Sequence, residues 1–188
     1  MNMIYKKSWK YILCKDNTFL NLYRPRATKD FSDVFRGNIG GYVQGYHNLS
    51  QKGDCWIYNE AKVTRNAIVS ENAKVYNSAI VSENAQVYGK ARICECAMIN
   101  GQSMVYGRAK IYGNVVISEN VHIYGKARIY DNAKVFGKAI VSDNANVFGN
   151  AIVKDNAQVY KSAIVSGNSK IFGKAKVCED VKNKVISE

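Results

Sequence analysis

One spacing constrains this chain more than any other: from Ile57 to Val177 an aliphatic residue returns every six residues without a miss. The column begins Ile57, Val63, Val69, Val75 and ends Val165, Ile171, Val177. Two residues before each member stands a small residue, mostly alanine, with Cys55, Ser103, Val115, Val121 and Ser169 as the exceptions. Between one aliphatic and the next alanine come pairs such as Glu-Asn, Gly-Lys and Asp-Asn. An amphipathic helix needs apolar residues three and four apart, and this chain lacks that spacing. Ala-x-Val reads instead as a short strand with two inward side chains around one outward one. Gly and Asn suit the tight corners between strands because both tolerate positive φ. Strand and corner at fixed length predict a solenoid.

This pattern resembles the hexapeptide-repeat, left-handed parallel β-helix family, whose motif is an aliphatic residue followed four residues later by a small one. The resemblance covers residues 55–181. It implies an all-β fold in which three hexapeptides make one eighteen-residue coil, about seven coils in all. Equivalent residues of successive coils then stand above one another at roughly the inter-strand spacing, ~4.8 Å. VYGKARI at 87–93, VYGRAKI at 105–111 and IYGKARI at 123–129 would be one motif on three consecutive coils.

The expected division is an N-terminal cap over 1–54, the β-helix over 55–181 and a C-terminal tail over 182–188. Open solenoid ends invite pairing with other chains, so the non-repeating start is expected to cover one of them. Within it, Trp9–Cys14 and Phe19–Tyr23 read as a β-hairpin around Lys15-Asp16-Asn17, and Gly37–Gly41 as a loop. The stretch from Asp30 to Val63, DFSDVFRGNIGGYVQGYHNLSQKGDCWIYNEAKV, is also similar to the entry segment of small phage and prophage hexapeptide-repeat proteins. That likeness implies a mobile-element origin and not an activity.

Apolar residues make up 47% of the chain, which argues against disorder, and no run of eighteen could span a bilayer. The start is basic but lacks an apolar stretch with a cleavage site, so no signal peptide is expected. The five cysteines are odd in number and scattered, which favours a reduced, cytoplasmic setting in a bacterial host. Cys94 and Cys96 offer too few ligands for a zinc site, so neither metal nor cofactor is expected. A net charge of +12 favours polyanionic partners: nucleotide, nucleic acid or an acidic protein surface.

The family resemblance also implies two enzymatic possibilities. Its acyltransferases use a histidine base and often an extruded loop. This chain has His47 and His122 and no insertion between coils. Its zinc carbonic anhydrases resemble a three-histidine interface site, which two histidines do not supply. Glu71, Glu83, Glu95, Glu119, Asp131, Asp143 and Asp155 all fall on corners, where local hydrogen bonding is their expected role. No catalytic residue is therefore assigned.

The outward positions carry the binding expectation. Lys90, Arg92, Arg108, Lys110, Lys126 and Arg128 gather on three successive coils beside one corner. Tyr88, Tyr106 and Tyr124 border them on one side, Tyr112 and Tyr130 on the other. Cations for phosphates and rings for bases are what nucleotide or nucleic-acid recognition needs. Outward Ile80, Met98, Val116 and Ile152, and separately Ile68, Met104 and Ile140, suggest contact with another chain, and the fold resemblance implies a homotrimer. The reading is a non-enzymatic, phage-encoded binding protein that counters host defence. The alternatives are an acyltransferase with an inter-subunit site, and a structural spacer or virion part.

Overall fold

The computed structural model describes residues 9–188 and is a parallel β-solenoid of about eight turns. Residues 1–8, part of the cap and of the segment bearing on a signal peptide, lie outside the described residues. In chain order the strands are β1 (Tyr11–Lys15), β2 (Tyr23–Ala27), β3 (Tyr42–Val43), and then β4 to β24, from Trp56–Ile57 to Lys176–Val177. The last two are β25 (Val181–Lys182) and β26 (Val185–Ser187). They form an 11-stranded, a 7-stranded and an 8-stranded sheet, here called faces 1, 2 and 3, containing Val63, Val69 and Val75 respectively. No helix among the described residues is long and apolar enough to cross a membrane.

Most coil strands are two residues long because the repeat allows only an outward residue and the inward aliphatic after it. Pairing holds that register: Arg92 lies on Lys110 and Ile93 on Ile111, then Lys110 on Arg128 and Ile111 on Ile129. The aliphatic column and the small residues before it are buried along the whole stack, including the exceptions Cys55, Ser103, Val115, Val121 and Ser169.

At each regular corner the first residue has positive φ, whether it is Gly89 (70°), Glu71 (57°) or Asp143 (58°). An acidic residue in this conformation is unusual. Its carboxylate has a defined partner here. Glu71, Glu83, Asp131, Asp143 and Asp155 each accept the backbone N–H of the corner residue one coil later: Gly89, Gly101, Gly149, Lys161 and Gly173, at 2.7–3.1 Å. Five of the seven corner carboxylates thus hydrogen-bond within the solenoid, as expected, and among the described residues Glu95 and Glu119 make no such bond.

The cap departs from expectation in its register. β1 and β2 pair antiparallel with Tyr11 opposite Ala27 and Lys15 opposite Tyr23, so the connection spans 16–22 and the second strand starts four residues later than Phe19. Phe19 leaves the ladder because its ring packs edge-on against Tyr42 at 5.0 Å and takes the Lys62 ammonium on its face at 4.0 Å. β3 pairs antiparallel with β2 and parallel with Lys62–Val63, which makes the hairpin a continuation of face 1. On face 2, buried Asn48 closes the end: it accepts from Gln44 and Gly45 N–H and donates to the Arg65 and Ala67 carbonyls.

The segment 182–188 also joins the sheets. Val181 pairs with Val165 and Ile186 with Ile171, so the final turn is shorter than eighteen residues. Its six-residue pattern fails because the corners contract, while Asn183 still serves as a positive-φ corner whose Oδ1 accepts the Asn168 N–H.

Asp33 pins the cap to face 3. It pairs with Lys74 and accepts a hydrogen bond from the Tyr58 hydroxyl at 2.8 Å. Partial burial would raise its carboxyl pKa, but the Lys74 and Tyr58 hydrogen bonds outweigh that and leave it below the ordinary value. A lowered carboxylate pKa contributes stability above the unfolded-state value and loses it as pH falls through the folded one. Thermal unfolding of Asp33→Asn should therefore differ from wild type at neutral pH and converge with it in acid. A difference independent of pH would remove Asp33 from that role.

Candidate anion-binding corner

The candidate residues meet at the corner between faces 2 and 3. Each coil there runs from an inward valine or isoleucine on face 2, through Tyr, Gly and a cation, to Ala and a second cation on face 3. The solenoid repeats that contour three times, so Lys90, Arg108 and Lys126 form one column and Arg92, Lys110 and Arg128 another. All six cations are exposed, and among the described residues none forms an ion pair. Columns of like charge ~5 Å apart repel, by about a kcal/mol per pair where water screens them.

Lys74 stands directly below Arg92 in the face 3 column. It is tied to Asp33 of the cap and lies over the Tyr58 ring, which removes it from the open cluster. Above Arg128 the column continues as Asn146. The patch is bounded at both ends.

Tyr88, Tyr106 and Tyr124 stack with ring centroids 4.9 and 5.1 Å apart and planes within 13°. Tyr112, Tyr130 and Phe148 form the second ladder, at 4.9 and 4.7 Å with planes within 5°. A ring inserted between two others needs about 7 Å, twice a carbon–carbon contact. The faces of the inner rings are therefore taken by their neighbours. Open faces remain at the ends, where Ser70 precedes Tyr88, Ser142 follows Tyr124 and Cys94 precedes Tyr112 in their columns. Burial pushes the Tyr88, Tyr106, Tyr112 and Tyr130 phenols above the ordinary tyrosine range, helped by Glu71 beside Tyr88 and by neighbouring tyrosines beside Tyr106. The hydroxyls of these four tyrosines are neutral at physiological pH.

The histidines stand apart. His47 Nε2 lies 2.7 Å from the Arg65 carbonyl, an acceptor, so that nitrogen is the donor and is not a free base. His122 is on face 2 between Met104 and Ile140 and lines a shallow groove with Asn84, Gln86, Gln102, Met104 and Asn120. Among the described residues no group of three metal-ligating side chains comes together. The expected apolar stripe is interrupted: on face 1, Lys134 sits between Val116 and Ile152, and on face 2 His122 sits between Met104 and Ile140. Met98 and Ile68 are the most exposed of its members.

Sequence reading missed an asparagine ladder at the corner between faces 3 and 1. Asn114, Asn132 and Asn150 each donate to the side-chain amide oxygen one coil later, the last being that of Asn168, at 3.2–3.4 Å. Their eighteen-residue spacing was the available signal.

Comparison with known proteins agrees with this geometry. Residues 127–143 match a repeat family described as YdcK beta solenoid repeat. A 47-residue stretch is 38% identical to a protein of Escherichia coli (strain K12) named as an uncharacterized acetyltransferase, YdcK. That stretch is 24% of this chain and 14% of the relative. The family match falls on the repeat, and with the three parallel ladders these likenesses identify the chain as a β-solenoid built from hexapeptide-type repeats.

Proposed function

We propose that this chain is a binding protein whose corner between faces 2 and 3 holds a phosphate-bearing ligand, a nucleotide or single-stranded nucleic acid. The observation that carries the reading is the set of six exposed, unpaired cations on three consecutive coils. Phosphates would sit among Lys90, Arg92, Arg108, Lys110, Lys126 and Arg128, and a base on the open end face of Tyr88, Tyr124 or Tyr112. Such a site works by charge and stacking and requires no cofactor. An acidic protein surface would meet the same cations without using the ring faces.

The likeness of residues 30–63 to phage entry segments supports an origin in a mobile element. In an infected bacterium's cytoplasm, such a protein would blunt host defence by sequestering a nucleotide signal or occupying a nucleic-acid-handling complex. Exposed Met98 and Ile68 support association of copies, a homotrimer by the fold resemblance.

The test is titration of ATP and of a dT12 oligonucleotide against wild type and a variant with Lys90, Arg92, Arg108 and Lys110 all changed to Glu. Wild-type affinity should fall as salt rises, with a slope of about 0.7 per phosphate contacted by a single strand. The variant should bind at least about 100-fold more weakly, since each charged hydrogen bond removed is worth up to about tenfold. Unchanged binding in the variant would sink the assignment.

A second reading, acyl transfer, is favoured by the relative's name together with His122 in its groove. It expects acetyl-CoA binding that His122→Ala abolishes. Retention of that binding in the variant, or its absence from wild type, counts against it.

A further inference from the structure

At most corners of this solenoid the backbone N–H of the first corner residue faces the preceding coil. At several corners a carboxylate or amide of that coil caps the N–H, whereas among the described residues Glu95, Glu119 and Asn77 leave the N–H groups of Gly113, Gly137 and Glu95 uncapped. Glu71 caps Gly89, Asp131 caps Gly149, Asp143 caps Lys161, Asp155 caps Gly173, and Asn59 Oδ1 accepts from Asn77 N–H at 3.3 Å. The fold therefore contains a recurring slot, which a carboxylate oxygen fills at five corners.

In the corner between faces 2 and 3 the slot is vacant three times running. It is vacant too at Glu119, Gly137 and Asp155 and at Glu95, Gly113 and Asp131 of the other two corners, but only here do six exposed cations stand beside it. Gly89, Gly107 and Gly125 follow one another in this column and have no side chain to offer the next coil. The N–H groups of Gly107, Gly125 and Asp143 accordingly find no acceptor among the described residues. Each lies 2.7–3.0 Å from where a Cβ on the preceding glycine would stand, so the missing side chain is what would have reached it. The three glycines are only partly buried, which leaves the column open to solvent. Lys90, Arg108 and Lys126 are the next residues in the chain, and Arg92, Lys110 and Arg128 stand on the adjoining face. The other glycine-on-glycine pair, Gly149 below Gly167, has Asn150 and Asn168 beside it instead of cations.

We infer that the backbone N–H groups of Gly107, Gly125 and Asp143 are the oxyanion-binding element of this corner, a column of three donors one coil apart that takes phosphate oxygens where other corners take the chain's own carboxylates. The inference rests on the anion-binding reading above and adds its contact geometry. The cations attract the ligand, and the fixed amides set where each oxygen sits. Glycine is needed for two reasons: it adopts φ near 70° without strain, and it leaves the slot empty. Asp or Glu in place of Gly would bring a carboxylate to the slot, as at Glu71 and Asp131, and repel the ligand.

The experiment follows individual amide resonances of the full chain on titration with inorganic pyrophosphate. Saturable shifts are expected at Gly107, Gly125 and Asp143. Gly89, Gly149 and Gly173, already capped by carboxylates, should stay in place, as should Gly167, which is open but lacks cations. Gly107→Asn then caps the Gly125 N–H without adding charge, copying the Asn59–Asn77 arrangement. Its pyrophosphate affinity should fall about tenfold, the worth of one hydrogen bond to a charged group. Gly149→Asn, the same change away from the cations, should leave affinity unchanged. Pyrophosphate binding that charge reversal abolishes but that moves none of the three amides would overturn this inference and leave the function standing. Failure to bind pyrophosphate, ATP and oligonucleotide alike would overturn both. If Gly107→Asn does not fold, as judged by circular dichroism, the wild-type amide shifts decide alone.

Discussion

Ile111→Ala lowers the free energy of unfolding by about 2–5 kcal/mol, as read from urea denaturation. Ile111 is fully buried at mid-stack, between Ile93 below and Ile129 above. Truncation removes its transfer free energy and leaves a cavity whose cost depends on how far the surroundings collapse. Collapse is restricted in this fold. The backbone ladders hold the coils ~4.8 Å apart, and the other inward residues of the section come from strands locked into their own stacks. The cost should therefore fall in the upper half of the range. Lys110→Ala, one residue away and pointing outward, should change stability by no more than about 0.5 kcal/mol. Comparable effects at the two positions would mean that the inward and outward columns have been interchanged.

Trp56→Ala costs a similar amount, about 3–5 kcal/mol, and acts at one end. Trp56 opens face 3 and is 1% exposed. Its ring meets Tyr11 of β1 edge-on at 6.0 Å and Phe31 at 5.4 Å, and it lies close against Gly40. One side chain thus joins the hairpin, the segment after it and the first coil. In a stacked-repeat fold each turn is stabilised mainly by its neighbours, so loss of this contact should loosen the cap before the body. Hydrogen exchange should show faster exchange in β1–β3 and the first coil, with the coils around Ile111 and Ile129 still protected. Uniformly accelerated exchange over all coils would show that the cap and the solenoid unfold as one unit.

Much of the solenoid is legible in the sequence because its period leaves no freedom. Six residues from valine to valine give two inward positions and one corner, so the columns of Lys90, Arg92 and Tyr88 can be drawn before any coordinates exist. The parallel ladders follow that reading residue for residue, as Arg92 on Lys110 on Arg128 illustrates. The candidate site was legible to the same extent: its members are brought together on one corner. The tyrosines were read as platforms for bases, yet Tyr106 has both faces covered by Tyr88 and Tyr124. Column membership is visible in a sequence, whereas the angle at which rings settle depends on their mutual packing.

The sequence by itself determined the solenoid, the inward column, the corner chemistry and the membership of the basic corner, because each depends on residues a fixed distance apart in the chain. Only the tertiary structure decided the hairpin register, the short final turn, the neutralisation of Lys74 by Asp33 and the open amides of Gly107 and Gly125. These depend on groups that no single period relates. Asp33 meets Lys74 across 41 residues because the cap folds back onto face 3. A corner amide is free or capped according to the side chain one coil earlier and to whether that side chain reaches it, a geometric matter. VYGKARI thus carries two kinds of information: its valine and alanine build the coil, and its glycine leaves the next coil's N–H exposed beside the cations.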